Sequence, residues 1–90
     1  MSIEELLVKL ENDLAEADRV RNESYEKCRA LTSEMKIIFK WERDLDDFDQ
    51  RFEDLRFRLE NARYDERMAC SKVNRIITTI DEIKLRIGQV

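Results

Sequence analysis

Stepping from Ile38 alternately by three and four residues lands on Ile38, Trp41, Leu45, Phe48, Phe52, Leu55, Leu59, Ala62, Glu66, Ala69, Val73, Ile76, Ile80, Ile83, Ile87 and Val90. Fifteen of these sixteen positions are apolar. An apolar residue every 3.5 positions makes a narrow stripe along a helix that must be covered by another helix. No strand or loop reading accommodates it. The chain is expected to be all-α, with a long heptad-patterned helix forming a coiled coil, or a helical hairpin or bundle, by oligomerisation.

A second, weaker seam precedes it. Ile3, Leu7, Leu10, Leu14 and Ala17 keep the same spacing, Arg21 and Ser24 interrupt it, and Cys28, Leu31, Met35 and Ile38 resume it. Ser2 is placed to cap this helix, with Glu4 and Glu5 in the first turn where the helix dipole favours negative charge. The chain therefore divides into an N-terminal helical segment, 1–37, and a main coiled-coil helix, 38–90. The least committed stretch is Arg19–Lys27, and Thr32–Ser33 is a second weak point. Neither has Gly or Pro nearby to force a reversal, so the helix is expected to run through both. As a single rod, residues 3–88 would reach roughly 130 Å at ~1.5 Å per residue. A compact alternative places turns near Ser24 and near Tyr64–Arg67.

The two seams meet out of step at Ile38. Met35, Ile38 and Trp41 are spaced three and three, a stammer that overwinds a supercoil locally. Ile37, Ile38, Phe39 and Trp41 surround the helix with apolar groups at this point, more than one partner helix covers. Ile37 and Phe39 here, with Phe57 and Tyr64 further on, lie off the seam and are the candidate partner-docking residues. The expected oligomer interface is Ile38, Trp41, Leu45, Phe48, Phe52, Leu55, Leu59, Val73, Ile76, Ile80, Ile83 and Ile87.

Charge bears on how such helices pair. From Glu42 to Asp54 seven acids oppose two bases, a balance of −5, and from Leu55 to Thr78 six bases oppose three acids, giving +3. A parallel, in-register homodimer would set Asp44 beside Asp49, Arg51 beside Arg56 and Arg58 beside Arg63 of the second copy. These are like-charge pairs, each costing a few tenths of a kcal/mol. The pattern disfavours that dimer and leaves an antiparallel homo-oligomer or a heteromeric coiled-coil partner. Glu66, alone among apolar seam positions, is expected to reach water across Ala62 and Ala69.

Composition excludes several classes of function. The 90 residues carry a formal charge of −4, which gives no net basic face for nucleic acid. No apolar run approaches ~18 residues, so no membrane span is expected, and the acidic middle does not suit a membrane-surface helix. The absence of His removes the usual general base and the commonest metal ligand. Cys28 and Cys70 are too far apart in sequence for a zinc knuckle and are read as reduced thiols. The run Asp44–Asp49 lacks the glycine and alternating oxygens of an EF-hand loop. No metal, cofactor or catalytic residue is expected, and the chain is not expected to be an enzyme. With no signal peptide or lipidation motif, a reducing cytoplasmic setting is expected, with the nucleus as the alternative.

Heptads with an aromatic cluster occur in cytoskeletal and spindle or kinetochore subunits, vesicle tethers, axonemal parts and spectrin-type repeats. The expected function is a non-catalytic scaffold subunit that assembles by protein–protein interaction into such a complex. The alternative is a compact helical-bundle adaptor that binds a client through exposed aromatics, for example in vesicle tethering.

Overall fold

The computed structural model describes residues 2–88. Two helices account for nearly all of them: α1, Ile3–Trp41, and α2, Phe48–Gly88. They lie antiparallel as a hairpin 68 Å long and 18 by 15 Å across. A helix of about 40 residues is roughly 60 Å long, so the molecule is one helix long and two helices wide.

Helix α1 begins where the sequence places its cap. Ser2 Oγ accepts from the Glu5 N–H at 3.1 Å, and the Ser2 carbonyl accepts from the Leu6 N–H at 3.0 Å. The weak stretch Arg19–Lys27 stays helical because surface charges brace it. Arg19 donates to Glu16 at 3.0 Å and to Glu23 at 2.5 Å, Arg21 pairs with Asp18, and Arg29 lies 3.7 Å from Glu26. Such pairs at three- and four-residue spacing each add a few tenths of a kcal/mol to a helix. Thr32 does not break it either, because its hydroxyl donates to the Cys28 carbonyl one turn back at 2.8 Å.

The chain reverses at residues 42–47, which corrects the expected helix running unbroken from Ile38 to Val90. Ile38 closes the first seam instead of opening the second, and the stammer marks the place where α1 stops. The alternative turns near Ser24 and Tyr64–Arg67 lie inside helices. The N–H of Glu42 donates to the Ile38 carbonyl at 2.8 Å, ending α1. Leu45 then donates to Glu42 at 3.0 Å and Phe48 to Leu45 at 3.1 Å, two successive turns of three-residue span. No described residue has positive φ, so the reversal needs no glycine. Aspartates at 44, 46 and 47 suit turns, and those nearest α2 also face its positive dipole end. Glu42 Oε2 meets Arg51 Nη1 at 2.8 Å as an ion pair without hydrogen-bond alignment, tying the loop to the first turn of α2.

The core is one seam in two parts. Near the turn, Cys28, Leu31 and Ile38 pack with Leu55, Leu59 and Ala62, flanked by Met35, Phe48 and Phe52. Toward the open end, Ala17 packs with Val73, Ile76 and Ile80, flanked by Leu7, Leu10 and Leu14. Between them the half-buried Arg21, Ser24 and Glu66 make a polar waist. Between Leu7 and Ile38 on α1, and Phe48 and Ile80 on α2, the two heptad stripes are therefore spent on each other. Burying each large aliphatic side chain contributes about 1.5–3 kcal/mol.

Candidate interaction surface

Of the residues assigned to an oligomer seam, Ile38, Leu55, Leu59, Val73, Ile76 and Ile80 are buried between α1 and α2. Phe48, Phe52 and Ile83 are half-buried. Trp41, Leu45 and Ile87 are exposed, Trp41 most of all at 73%. Val90 falls outside the described residues. A second chain thus meets a stripe that its own neighbour already covers.

Most of the large apolar side chains left exposed collect in three places, with Val8, Val20, Tyr25, Ile77 and Leu85 scattered elsewhere. At the turn end Phe39 sits 6.3 Å from Phe48 and 6.2 Å from Phe52, and these two are 5.3 Å apart. These tilted aromatic contacts close the core at its tip. Phe39 still keeps half its surface in water, as do Ile37 and Leu45 nearby. Cations cover two of the rings: Lys40 Nζ lies 4.9 Å from the Trp41 ring and Arg43 lies 5.4 Å from that of Phe39.

The second place is the open end, where Ile3, Leu6, Ile83, Arg86 and Ile87 line an apolar groove. The third is the outer face of α2, opposite the seam. Phe57 is 63% exposed, Tyr64 57% and Met68 52%. Their spacing of seven and four residues sets them on one stripe with Asn61 between. Phe57 and Tyr64 were legible as off-seam aromatics. Met68 carries no aromatic signal, and only the same periodicity applied outside the seam leads to it. Trp41, the last residue of α1, and Leu45, in the loop, stand at the tip because the chain turns there, away from the stripe that sequence periodicity assigned them.

Titration is perturbed at few points. Burial, then the charge of Glu66 and a hydrogen bond to it, pushes the Cys28 thiol above its ordinary value, with Asp65 adding and Arg63 opposing. A hydrogen bond from Arg19, with its charge, lowers the Glu16 carboxyl, and hydrogen bonds to Glu16 and Glu23 raise Arg19. Glu66 is half-buried and faces Cys28. Among the described residues no three His, Cys, Asp or Glu side chains gather as a metal site, including the run Asp44–Asp49 across the loop and the first turn of α2. No described helix is long and apolar enough to cross a membrane.

No family model, curated protein or solved structure matches the chain. The chemistry open to these surfaces is that of apolar side chains rimmed by charges of both signs.

Proposed function

We propose that this chain is a non-catalytic scaffold subunit. It is a stiff helical hairpin that enters a larger protein assembly of the cytoskeletal, spindle or kinetochore kind. The observation that carries this reading is the division of its apolar residues into two sets. One set is consumed within the hairpin, while Phe57, Tyr64, Met68, Trp41 and Leu45 are left in water. Large apolar side chains kept exposed at helical spacing are the mark of an interaction surface. The assembly acts by protein contacts alone, without cofactor or nucleic acid, in the cytoplasm or nucleus.

A second reading, an adaptor that grips a client at its tip, draws on the exposed cluster of Ile37, Phe39, Trp41 and Leu45 beside the turn. Gel filtration of cell lysates separates these readings from a free-standing hairpin. The tagged wild-type chain is expected in a fraction far larger than 10.9 kDa. Phe57→Ser/Tyr64→Ser should release it if the outer face of α2 is the scaffold contact, and Trp41→Ser/Leu45→Ser if the tip grips a client. A wild-type chain that elutes alone refutes both.

A further inference from the structure

The geometry points to a second copy of this chain as the occupant of the outer α2 face, packed antiparallel about a two-fold axis near Asn61 and Tyr64. This rests on the assembly reading above and names the partner of one of its surfaces.

The register follows from heptad geometry already visible within the hairpin. In an antiparallel pair, core residues face each other in ranks and the flanking positions meet like with like. Inside the chain this rule puts Tyr25 beside Arg63, Val20 beside Lys72 and Leu6 beside Arg86. Each of these pairs does line a common groove. Applied to the outer stripe of α2, the rule sets Phe57 against Met68 of the second copy and Asn61 against Tyr64. The two-fold axis repeats both ranks. Thioether on aromatic is a favourable contact, and a polar Asn in a central rank fixes register.

Charge selects this occupant. The same register places Arg58 beside Asp65 of the second copy and Glu60 beside Arg67, and symmetry makes four opposite-charge pairs. A parallel pairing on this stripe would instead bring Glu60 to Asp65 and Arg67 to Lys72, two like-charge ranks against the single opposite-charge rank of Glu53 with Arg58. In the single hairpin Arg58 is 3.0 Å from Asp54, and Glu60 is 4.0 Å from Arg56. Asp65 and Arg67 form no ion pair among the described residues, so they are available. At the margins of the contact Arg51 meets Lys72, a like pair, but Arg51 is already held by Glu42 at 2.8 Å. From Glu53 to Arg67 five acids and four bases nearly cancel, so two copies approach here without the repulsion of the acidic loop.

Sedimentation equilibrium of the purified, reduced full-length chain tests this, with far-UV circular dichroism to confirm that each variant keeps its helix. The wild type is expected to reach twice 10.9 kDa, with half-association at about 10 μM. Phe57→Ser should be monomeric and fully helical, and Met68→Ser serves if Phe57→Ser loses helix. Glu60→Arg turns two attractive pairs into repulsive ones and should weaken association roughly tenfold or more. Adding Arg67→Glu to it restores opposite charges at both sites and should recover most of the loss. A wild type still monomeric at about 100 μM, a dimer indifferent to Phe57→Ser, or a double swap that rescues nothing each overturns the proposal. These outcomes concern the purified chain alone, so the proposal can fail while the assembly reading, tested in lysate, stands.

Discussion

Leu59→Ala probes the central claim that the heptad seam is closed within the chain. Leu59 is 6% exposed and packs among Cys28, Leu31, Leu55 and Ala62. Truncating a buried leucine costs about 2–5 kcal/mol, the spread depending on how far the site collapses. A two-helix seam has water along both flanks and collapses more readily than a closed core, so a loss of about 2.5 kcal/mol is expected. That lowers the folding equilibrium constant roughly sixtyfold. A chain of this length commands only about 5–13 kcal/mol in total, and a single seam belongs at the low end. The melting temperature should therefore fall by roughly 10–20 °C. Leu85→Ala is the control, because Leu85 is 63% exposed. It should stay within about 0.5 kcal/mol of wild type. Urea and thermal melts followed by circular dichroism at one chain concentration measure both variants. Equal losses at Leu59 and Leu85 would refute the packing of this α2 face on α1.

Two further outcomes follow from the waist and the loop. The Cys28 thiol is raised above its ordinary value by burial first and by Glu66 next. Its neutral form therefore adds stability below the unfolded thiol pKa of about 8.5, and that contribution is lost as pH rises through the folded value. Urea midpoints of wild type and Cys28→Ala, compared at neutral and alkaline pH, should converge above that range, and parallel pH profiles would remove Cys28 from the account. The loop prediction concerns shape. Replacing Asp44, Leu45, Asp46 and Asp47 with alanine substitutes strong helix formers for turn residues and should fuse α1 and α2 into one rod paired with a second chain. Small-angle scattering would then report a radius of gyration rising from 19.9 Å toward roughly twice that, as for a ~130 Å rod. An unchanged radius would mean that the seam, and not the loop, dictates the reversal.

Helicity, the two seams, the Ser2 cap and the off-seam placement of Phe57 and Tyr64 were legible in the chain because each is local. Heptad spacing and capping chemistry act within a turn or two of helix, and residue identities alone express them. The seam's partner was not legible, since Leu31 and Leu59 attract one another equally well across two chains or within one. That choice was made at Glu42–Asp47, where two consecutive turns with ordinary φ reverse the chain without the glycine or proline that advertises a reversal. Read as sequence, those aspartates were an acidic block on a helix; in the structure they are its end. Once the chain turns there, helices of 39 and 41 residues bring Leu31 into one cluster with Leu59, and Ala17 into one with Val73. Sequence periodicity determined which face of each helix is sticky. Only the tertiary fold decided that the faces meet within one chain, because closing a short loop costs far less entropy than recruiting a separate molecule.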